Sequence, residues 1–467
     1  MNDVRGRVLA GTFFHAPARG TIEVLQDALL AVDETGTIST VTRRREPDYA
    51  RLRSEAGEAG ALLSISAGSY VLPGLIDLHI HAPQYPQLGK ALDRSLEDWL
   101  ARYTFPLEAR YVDLAFARRA YEALLDDLAA NGTTTAVMYG TIHESANKLL
   151  VDICLQRGLR AFIGKVAMDN PETCPDTYRD ASPHAALCGT QALIDYITRR
   201  GANDLVRPVV TPRFIPSCTD ATLAGLAEIG RASRCHIQTH CSESDWQHGY
   251  AFARFGRSDA ESLDRFGLLS RHTILAHAPL LSDGDMGLVS ERGSGIAHCP
   301  LSNVYFSNAV FPLKVALARG LRVGLGTDIA AGPSASLLDS LRMSVAGSRL
   351  LEEGVDPALS AERRGRPGAR IDWRTAFFLA TAGGADVLDI PVGRFSPGNK
   401  FDAIVVDTQA DEGTVRIFEE IDTSEDVLSK ILHTASRRNI VSVFVAGRAL
   451  RRRSKNGSVI PICVQEE

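Results

Sequence analysis

In the run Gly74-Leu75-Ile76-Asp77-Leu78-His79-Ile80-His81, two histidines stand one residue apart at the end of an apolar stretch. Side chains at i and i+2 of a strand project to the same side. His79 and His81 therefore present two imidazoles together, half of a tetrahedral metal site. Alone, the pair reads equally well as two histidines meeting in a turn. Three further apolar runs close on similar groups: Gln238-Thr239-His240-Cys241-Ser242-Glu243, Leu275-Ala276-His277 and Gly326-Thr327-Asp328. A hydrogen-bonded histidine or a helix-capping aspartate would explain any one of them. Gathered at a single mouth, His79, His81, His240, His277 and Asp328 point instead to a metal-dependent hydrolase, in which the ion activates water.

Such convergence requires strands whose carboxyl ends share one face, as in a (β/α)8 barrel. Between residues 71 and 390 the chain alternates apolar runs with helical patterns. The expected strands are Leu75 to Ile80, Thr133 to Tyr139, Ala161 to Met168, Leu205 to Phe214, His236 to His240, His272 to His277, Gly295 to His298 and Arg322 to Thr327. Helical periodicity falls at Leu114 to Ala130, Lys148 to Arg157, Ala221 to Ser233 and Phe311 to Arg319. Eight strands with intervening helices fit an α/β class TIM-like barrel better than an open doubly wound sheet. Residues 1–70 instead carry short strand signals at Val8 to Ala10, Ile22 to Leu25, Ala28 to Val32 and Ile38 to Val41. The same texture returns in 391–467 at Phe401 to Val406 and Ile440 to Val445. The two ends are expected to form one small β-sandwich, with the barrel inserted between them. The charged, Gly- and Pro-bearing stretch Ser360 to Arg370 is expected to be a mobile loop.

Composition narrows the function classes. With 467 residues, 45% hydrophobic and 23% charged, the chain has the balance of a globular protein with more than one core. A net charge of −5 gives no basic excess for a nucleic-acid partner, and Arg451-Arg452-Arg453 has no aromatic interleaving. Eight cysteines without a C-x-x-C pair argue against a thiolate zinc centre or a disulfide framework, and suit a reducing, cytoplasmic setting. The short apolar run Val8 to Phe14 lacks a convincing cleavage region and reads as a strand. No stretch approaches the ~20 apolar residues of a membrane helix. Neither a Gly-x-Gly-x-x-Gly fingerprint nor a Walker A motif supports a nucleotide cofactor.

The metal-competent residues resemble the pattern of the amidohydrolase superfamily, and the likeness narrows to its guanine-deaminating family. The stretches that carry it are PGLIDLHIHAPQYPQLG at 73–89, LEDWLARYTFPLEARY at 96–111, NGTTTAVMYGTIH at 131–143 and AFIGKVAMD at 161–169. VVTPRFIPSC at 209–218, HIQTHCSE at 236–243, GIAHCPLSN at 295–303 and GLGTDIAAG at 324–332 continue it. The His-x-His and Gly-Thr-Asp motifs are widely shared; HAPQ and TPRF are narrower. The resemblance implies one Zn2+ per subunit held by His79, His81, His240 and Asp328, with His277 orienting a water. It also implies purine catabolism as the setting and a homodimer as the assembly. Some relatives bridge two metals with a carbamylated lysine on the fourth strand. Leu205 to Phe214 contains no lysine, which supports one metal, and Lys165 on the third strand reads as structural.

Under this resemblance the substrate is guanine, whose amine-bearing C2 needs a strong nucleophile. Glu243 is then the proton shuttle from water to ring N3, and Asp328 passes the second proton to the leaving amine. Gln84 offers a donor and an acceptor, Arg213 a fork of donors for O6 or N7, and Phe214 a face for stacking. His240, Glu243 and Asp328 also border the substrate. Trp99 is either a wall of the pocket or a core residue. The His-x-Glu with Pro-Cys-x-x-Cys signature of cytosine and tRNA-adenine deaminases is absent. Leu301, Ala278-Pro279 and Ala331 depart from the family pattern beside the expected mouth, which keeps other aminated heterocycles (8-oxoguanine, a pterin, a triazine) as alternatives. A non-catalytic barrel scaffold is the remote alternative. It would be expected to lack a ligand or Glu243, and none is missing.

Overall fold

Strand-forming runs rich in Val, Ile, Thr and Ala, separated by capped helices, produce two sheets in the computed structural model, which describes residues 3–201, 204–307 and 309–452. Arg453 and Cys463 lie outside that range. The eight long strands of the central sheet are all parallel. Their order is Leu75–His81, Thr133–Tyr139, Arg160–Gly164, Val206–Pro212, His236–Cys241, Thr273–His277, Gly295–His298 and Arg322–Leu325. The sheet closes on itself just past the last strand: the Asp328 amide donates to the His79 carbonyl (2.9 Å) and the His81 amide to the Ile329 carbonyl (2.8 Å). Helices lie between the strands, completing a (β/α)8 barrel.

Local sequence explains where the helices begin and end. Asp113 Oδ1 accepts the amides of Ala115 and Phe116 and starts Leu114–Ala130, whose Tyr121, Leu124, Leu125 and Leu128 are buried. Gly158, at φ 80, ends Glu144–Arg157 in the left-handed conformation that glycine adopts without strain. Ser244 caps Asp245–Phe255 immediately after Glu243, so that helix start is built next to the expected site. At the opposite end, Ile76, Leu78, Val137, Phe162, Val209 and Ile274 form one apolar cluster with Ala385, Val387, Leu388, Ile390 and Val392.

Both chain ends build the second sheet. Arg448–Arg452, Ile440–Val445 and Ala403–Asp407 join Ser69–Pro73, Arg7–His15, Glu23–Val32 and Ile38–Thr42 in that order, and Leu62–Ser64 pairs with Arg7–His15. Phe13, Leu30, Phe401 and Phe444 from four of these strands and their flanks meet in a shared cluster. The two sheets are tied by a buried ion pair: Arg160 donates through Nε to Asp402 Oδ2 (2.9 Å) and through Nη2 to Oδ1 (3.1 Å).

Several element bounds differ from expectation for physical reasons. The run Ala161 to Met168 breaks at Lys165, whose Nζ turns to Asp180 Oδ1 (2.7 Å), leaving Arg160–Gly164 and Val166–Ala167. The next strand stops at Pro212, which has no amide to continue a ladder, so Arg213 and Phe214 leave the sheet. Ile22 to Leu25 and Ala28 to Val32 are one strand, bent at Asp27 with φ 47. Between Ser360 and Arg370 a short helix forms at Ala361–Arg364; the Arg366 amide donates to Leu351 O (2.8 Å) and the Arg370 amide to Glu352 Oε2 (2.6 Å). The strand Ser69–Pro73 and the helices Pro183–Arg199 and Leu337–Glu353 were not anticipated.

Candidate active site at the carboxyl ends of the barrel strands

Alternation along Leu75–His81 brings the His79 and His81 rings to 5.0 Å, edge to face. His240 stands one residue before the end of the strand His236–Cys241 and faces both: its ring lies 4.8 Å from that of His79, and its Nε2 is 3.0 Å from His81 Nε2. Asp328 approaches from the closing strand, with Oδ1 at 3.2 Å from His79 Nε2 and 3.7 Å from His81 Nε2. His277 Nε2 stands 3.6 Å from Glu243 Oε1 and 3.7 Å from Asp328 Oδ2. All six side chains are buried. The backbone is bent to achieve this: Ser242, His277 and Asp328 have φ of 47, 71 and 52. Non-glycine residues adopt such angles at a cost of ~1–3 kcal/mol each, and they concentrate at functional sites.

Neighbouring groups fix the orientation of these rings. His240 Nδ1 donates to the Arg213 carbonyl at 2.7 Å, which leaves Nε2 as a lone pair facing His81. His277 Nδ1 donates to Asn303 Oδ1 at 3.0 Å, aiming its Nε2 at the two carboxylates. Asp77 lies behind His79 and accepts the amides of His79 (3.2 Å) and Thr327 (3.0 Å) together with the Thr327 hydroxyl (2.5 Å). Gly326 is required by close approach: a Cβ there would stand 2.8 Å from Cys299 Sγ and 2.9 Å from His79 Cβ.

Burial dominates the electrostatics. It holds His79, His81 and His240 well below the ordinary histidine range, and facing imidazoles add to the effect, so the rings are neutral. Burial raises Asp328 to about 6 and lifts Glu243 well above the usual carboxylate range, with the Asp328 charge as its second cause. His79 Nε2, His277 Nε2 and Asp328 Oδ1 have no hydrogen-bond partner, although all three atoms are buried. Ligand atoms of His79, His81 and Asp328, of His79, His240 and His277, and of Glu243, His277 and Asp328 lie within 4.8 Å of one another in each group. Neutral imidazole lone pairs and a carboxylate oxygen converging without protein partners suit a divalent cation. His236, His272 and Asp389 form another such group at the other end of the same strands, where Arg271 already bonds Asp389.

Above the cluster is a cavity of about 330 Å³, lined by His81, Gln84, Arg213, Phe214, His240, Glu243 and Asp328. Trp99 and Ala331 also line it, and Trp99 packs at the same time against Phe306 in a buried apolar cluster, so it is both wall and core. Every residue expected at the metal or the substrate is therefore brought to one place. Lys165 is paired with Asp180 and does not line the cavity. Asn303 and Glu108 join the site without a signal in the sequence. Asn303 lies in the HCPLSN stretch and marks itself by no chemistry of its own. Glu108 sits in Phe105–Ala109, where an acid reads as ordinary first-turn helix chemistry; it is completely buried and bonds both Gln84 and Arg213.

A barrel with a buried histidine and aspartate cluster at its carboxyl mouth is the hallmark of metal-dependent hydrolases, and the comparisons agree. The amidohydrolase family profile matches residues 70–450, and the chain belongs to that family. Within it, the chain is similar to guanine deaminases. It is 37% identical to a probable guanine deaminase of Schizosaccharomyces pombe, over 94% of this chain and 82% of that protein. Against the guanine deaminase of Dictyostelium discoideum, identity is 33% over 95% and 98% of the two chains. Guanine deaminase from C. acetobutylicum, solved with guanine bound in its active site, superimposes with a TM-score of 0.84 at 27% identity, covering 95% of this chain and 99% of that one.

Proposed function

We propose that the protein is a zinc-dependent guanine deaminase that hydrolyses guanine to xanthine and ammonia. The observation that carries this reading is the joining of two sets of groups on one cavity. His79, His81, His240 and Asp328 converge at its floor, while Gln84, Arg213 and Phe214 border the space above them. The relatives that match nearly the whole chain act on the same base. One zinc ion per chain, held by those four residues, would supply Lewis acidity and a water acidified toward a pKa of ~7.

The chain's own residues supply the rest. Glu243 takes a proton from the attacking water and delivers it to ring N3 as C2 becomes tetrahedral. Asp328 accepts the second proton and hands it to the departing amine. His277, fixed by Asn303, orients the water between Glu243 and Asp328. Arg213 and Gln84 hold the polar edge of the purine, and Phe214 covers a face. A homodimer and a cytoplasmic location belong to the same proposal and rest on the family likeness. No helix among the described residues is long and apolar enough to cross a membrane.

The test is ammonia and xanthine release from guanine by zinc-replete protein, beside 8-oxoguanine, a pterin and a triazine. Guanine should be the preferred substrate, and chelation should abolish turnover. Absence of release from guanine, with the site loaded, would overturn the proposal.

A further inference from the structure

Glu108 is a fully buried carboxylate that the chemistry above does not use, and it bonds two residues that line the cavity. It lies in Phe105–Ala109, and its two oxygens are shared between the residues proposed to read the purine. Oε2 accepts from Arg213 Nη1 at 2.7 Å; Oε1 accepts from Arg213 Nη2 at 3.1 Å and from Gln84 Nε2 at 2.8 Å. On its far side the Gln84 carbonyl accepts the Ala330 amide at 3.4 Å. The Arg213 guanidinium also lies over the Phe105 ring, 5.1 Å from its centroid.

These bonds determine what is left to meet a ligand. An arginine has five N–H donors and no acceptor, and two of the five are taken by Glu108. Glutamine has two N–H donors on one side of its amide and a carbonyl on the other. Because a carboxylate can only accept, it forces the Gln84 nitrogen toward itself and the carbonyl toward Ala330. What remains directed elsewhere is chiefly N–H.

We infer that Glu108 is a positioning and specificity-determining residue: by locking Arg213 and Gln84, it presents the purine with donors and so selects an oxo-bearing edge over an amino-bearing one. This inference rests on the guanine reading above. A site built to donate rejects a ligand whose matching group also donates, because the buried N–H groups then go unpaired. A glutamine at 108 could accept or donate, so the Gln84 amide would be free to turn over, and Arg213 would lose its bidentate partner.

The experiment compares wild type with Glu108→Gln, measuring KM and kcat for guanine and the inhibition constant of 2,6-diaminopurine, which has an amine in place of the 6-oxo group. We expect KM for guanine to rise at least tenfold, with kcat changed less than fivefold. The ratio of the 2,6-diaminopurine inhibition constant to KM should fall at least tenfold, and zinc content should be unchanged. A purely structural role would lower kcat and thermal stability and leave that ratio at its wild-type value, and this outcome overturns the inference. Should Glu108→Gln not accumulate as folded protein, Glu108→Asp carries the same test: it keeps the charge opposite Arg213 and withdraws it from Gln84 by one methylene. A wild type that releases no ammonia from guanine sinks the functional reading. A working wild type with an unaltered variant sinks only the role of Glu108.

Discussion

Replacing Glu243 by glutamine isolates proton transfer from every other duty of the site. The side chain is buried at the mouth, with Oε1 3.6 Å from His277 Nε2, and its own amide donates to Gln247 Oε1 at 3.4 Å. An amide of the same volume keeps the packing and the backbone contact, so stability should change by less than about 1 kcal/mol. What it cannot do is take a proton from water and give it to N3. General acid–base catalysis contributes ~100- to 10,000-fold, equivalent to ~2.7–5.4 kcal/mol of transition-state stabilisation. None of the four proposed ligands is changed, so metal content should stay at one ion per chain. The assay is steady-state ammonia release from guanine, with metal analysis and thermal melting on the same preparations. We expect kcat to fall at least 100-fold with bound metal and melting temperature retained. If kcat falls less than tenfold in the metal-loaded variant, Glu243 is not the shuttle. If the loss follows missing metal, Glu243 acts by holding the ion.

Asn303→Ala removes the acceptor that fixes His277 Nδ1 at 3.0 Å, and kcat should fall ~10- to 100-fold with metal retained, as for other groups that orient catalytic histidines. Unchanged kinetics would mean that packing alone holds His277. Burial, then the charges of His272 and Arg207, lower His236 to about 4, against 6.5 when exposed. A depressed histidine is neutral in the fold, so its contribution is complete above pH 6.5 and is lost as pH falls from 6.5 toward 4, amounting to about 3 kcal/mol at pH 4. Urea unfolding should therefore show His236→Gln gaining on wild type by roughly that amount between pH 7 and pH 4. A difference independent of pH refutes this. Asp402→Ala leaves the buried Arg160 guanidinium without its carboxylate, and the free energy of unfolding should fall by ~3–5 kcal/mol. Arg160→Met with Asp402→Leu should recover most of the loss, and a double variant no more stable than the single one would contradict a charge-based cost.

The barrel was legible because its strands are short apolar runs bounded by turn residues, and Thr133–Tyr139 and Gly295–His298 fall where the pattern places them. His79, His81, His240, His277 and Asp328 could be gathered in advance because a parallel barrel delivers strand ends to one mouth, whatever their separation in sequence. Glu108 could not be found this way. Its importance lies in burial and in partners 24 and 105 residues away, neither of which a local pattern contains. The break at Lys165 was hidden for a related reason, since only the fold reveals Asp180 waiting for its ammonium. The strand Ser69–Pro73 escaped because it lies at the junction between sheet and barrel, where a five-residue run reads as a lead-in to Leu75–His81.

Several departures from regular backbone, though not all, fall where the chemistry is placed. His79 and His81 are aimed from within the strand Leu75–His81, whose ladder has an irregularity between Asp77 and Ile80 but no residue of positive φ. Ser242, His277, Ala278 and Asp328 instead adopt left-handed backbone just as their chain segments leave the sheet. That turn re-aims Glu243, His277 and Asp328 across the mouth, so that the two carboxylates from separate segments come to 3.6 and 3.7 Å from His277 Nε2. At ~1–3 kcal/mol each, four such residues cost several kcal/mol, a large share of a typical net stability. The compensation is visible around them: Asp77 holds Thr327 and the His79 amide, Gln247 donates to the His240 carbonyl at 3.1 Å, and Asn303 holds His277. Ala278, at φ 60, carries the strain without a hydrogen-bonding side chain to offset it. A residue other than glycine thus holds a costly conformation directly after His277, which fits a backbone shape required by what His277 must face.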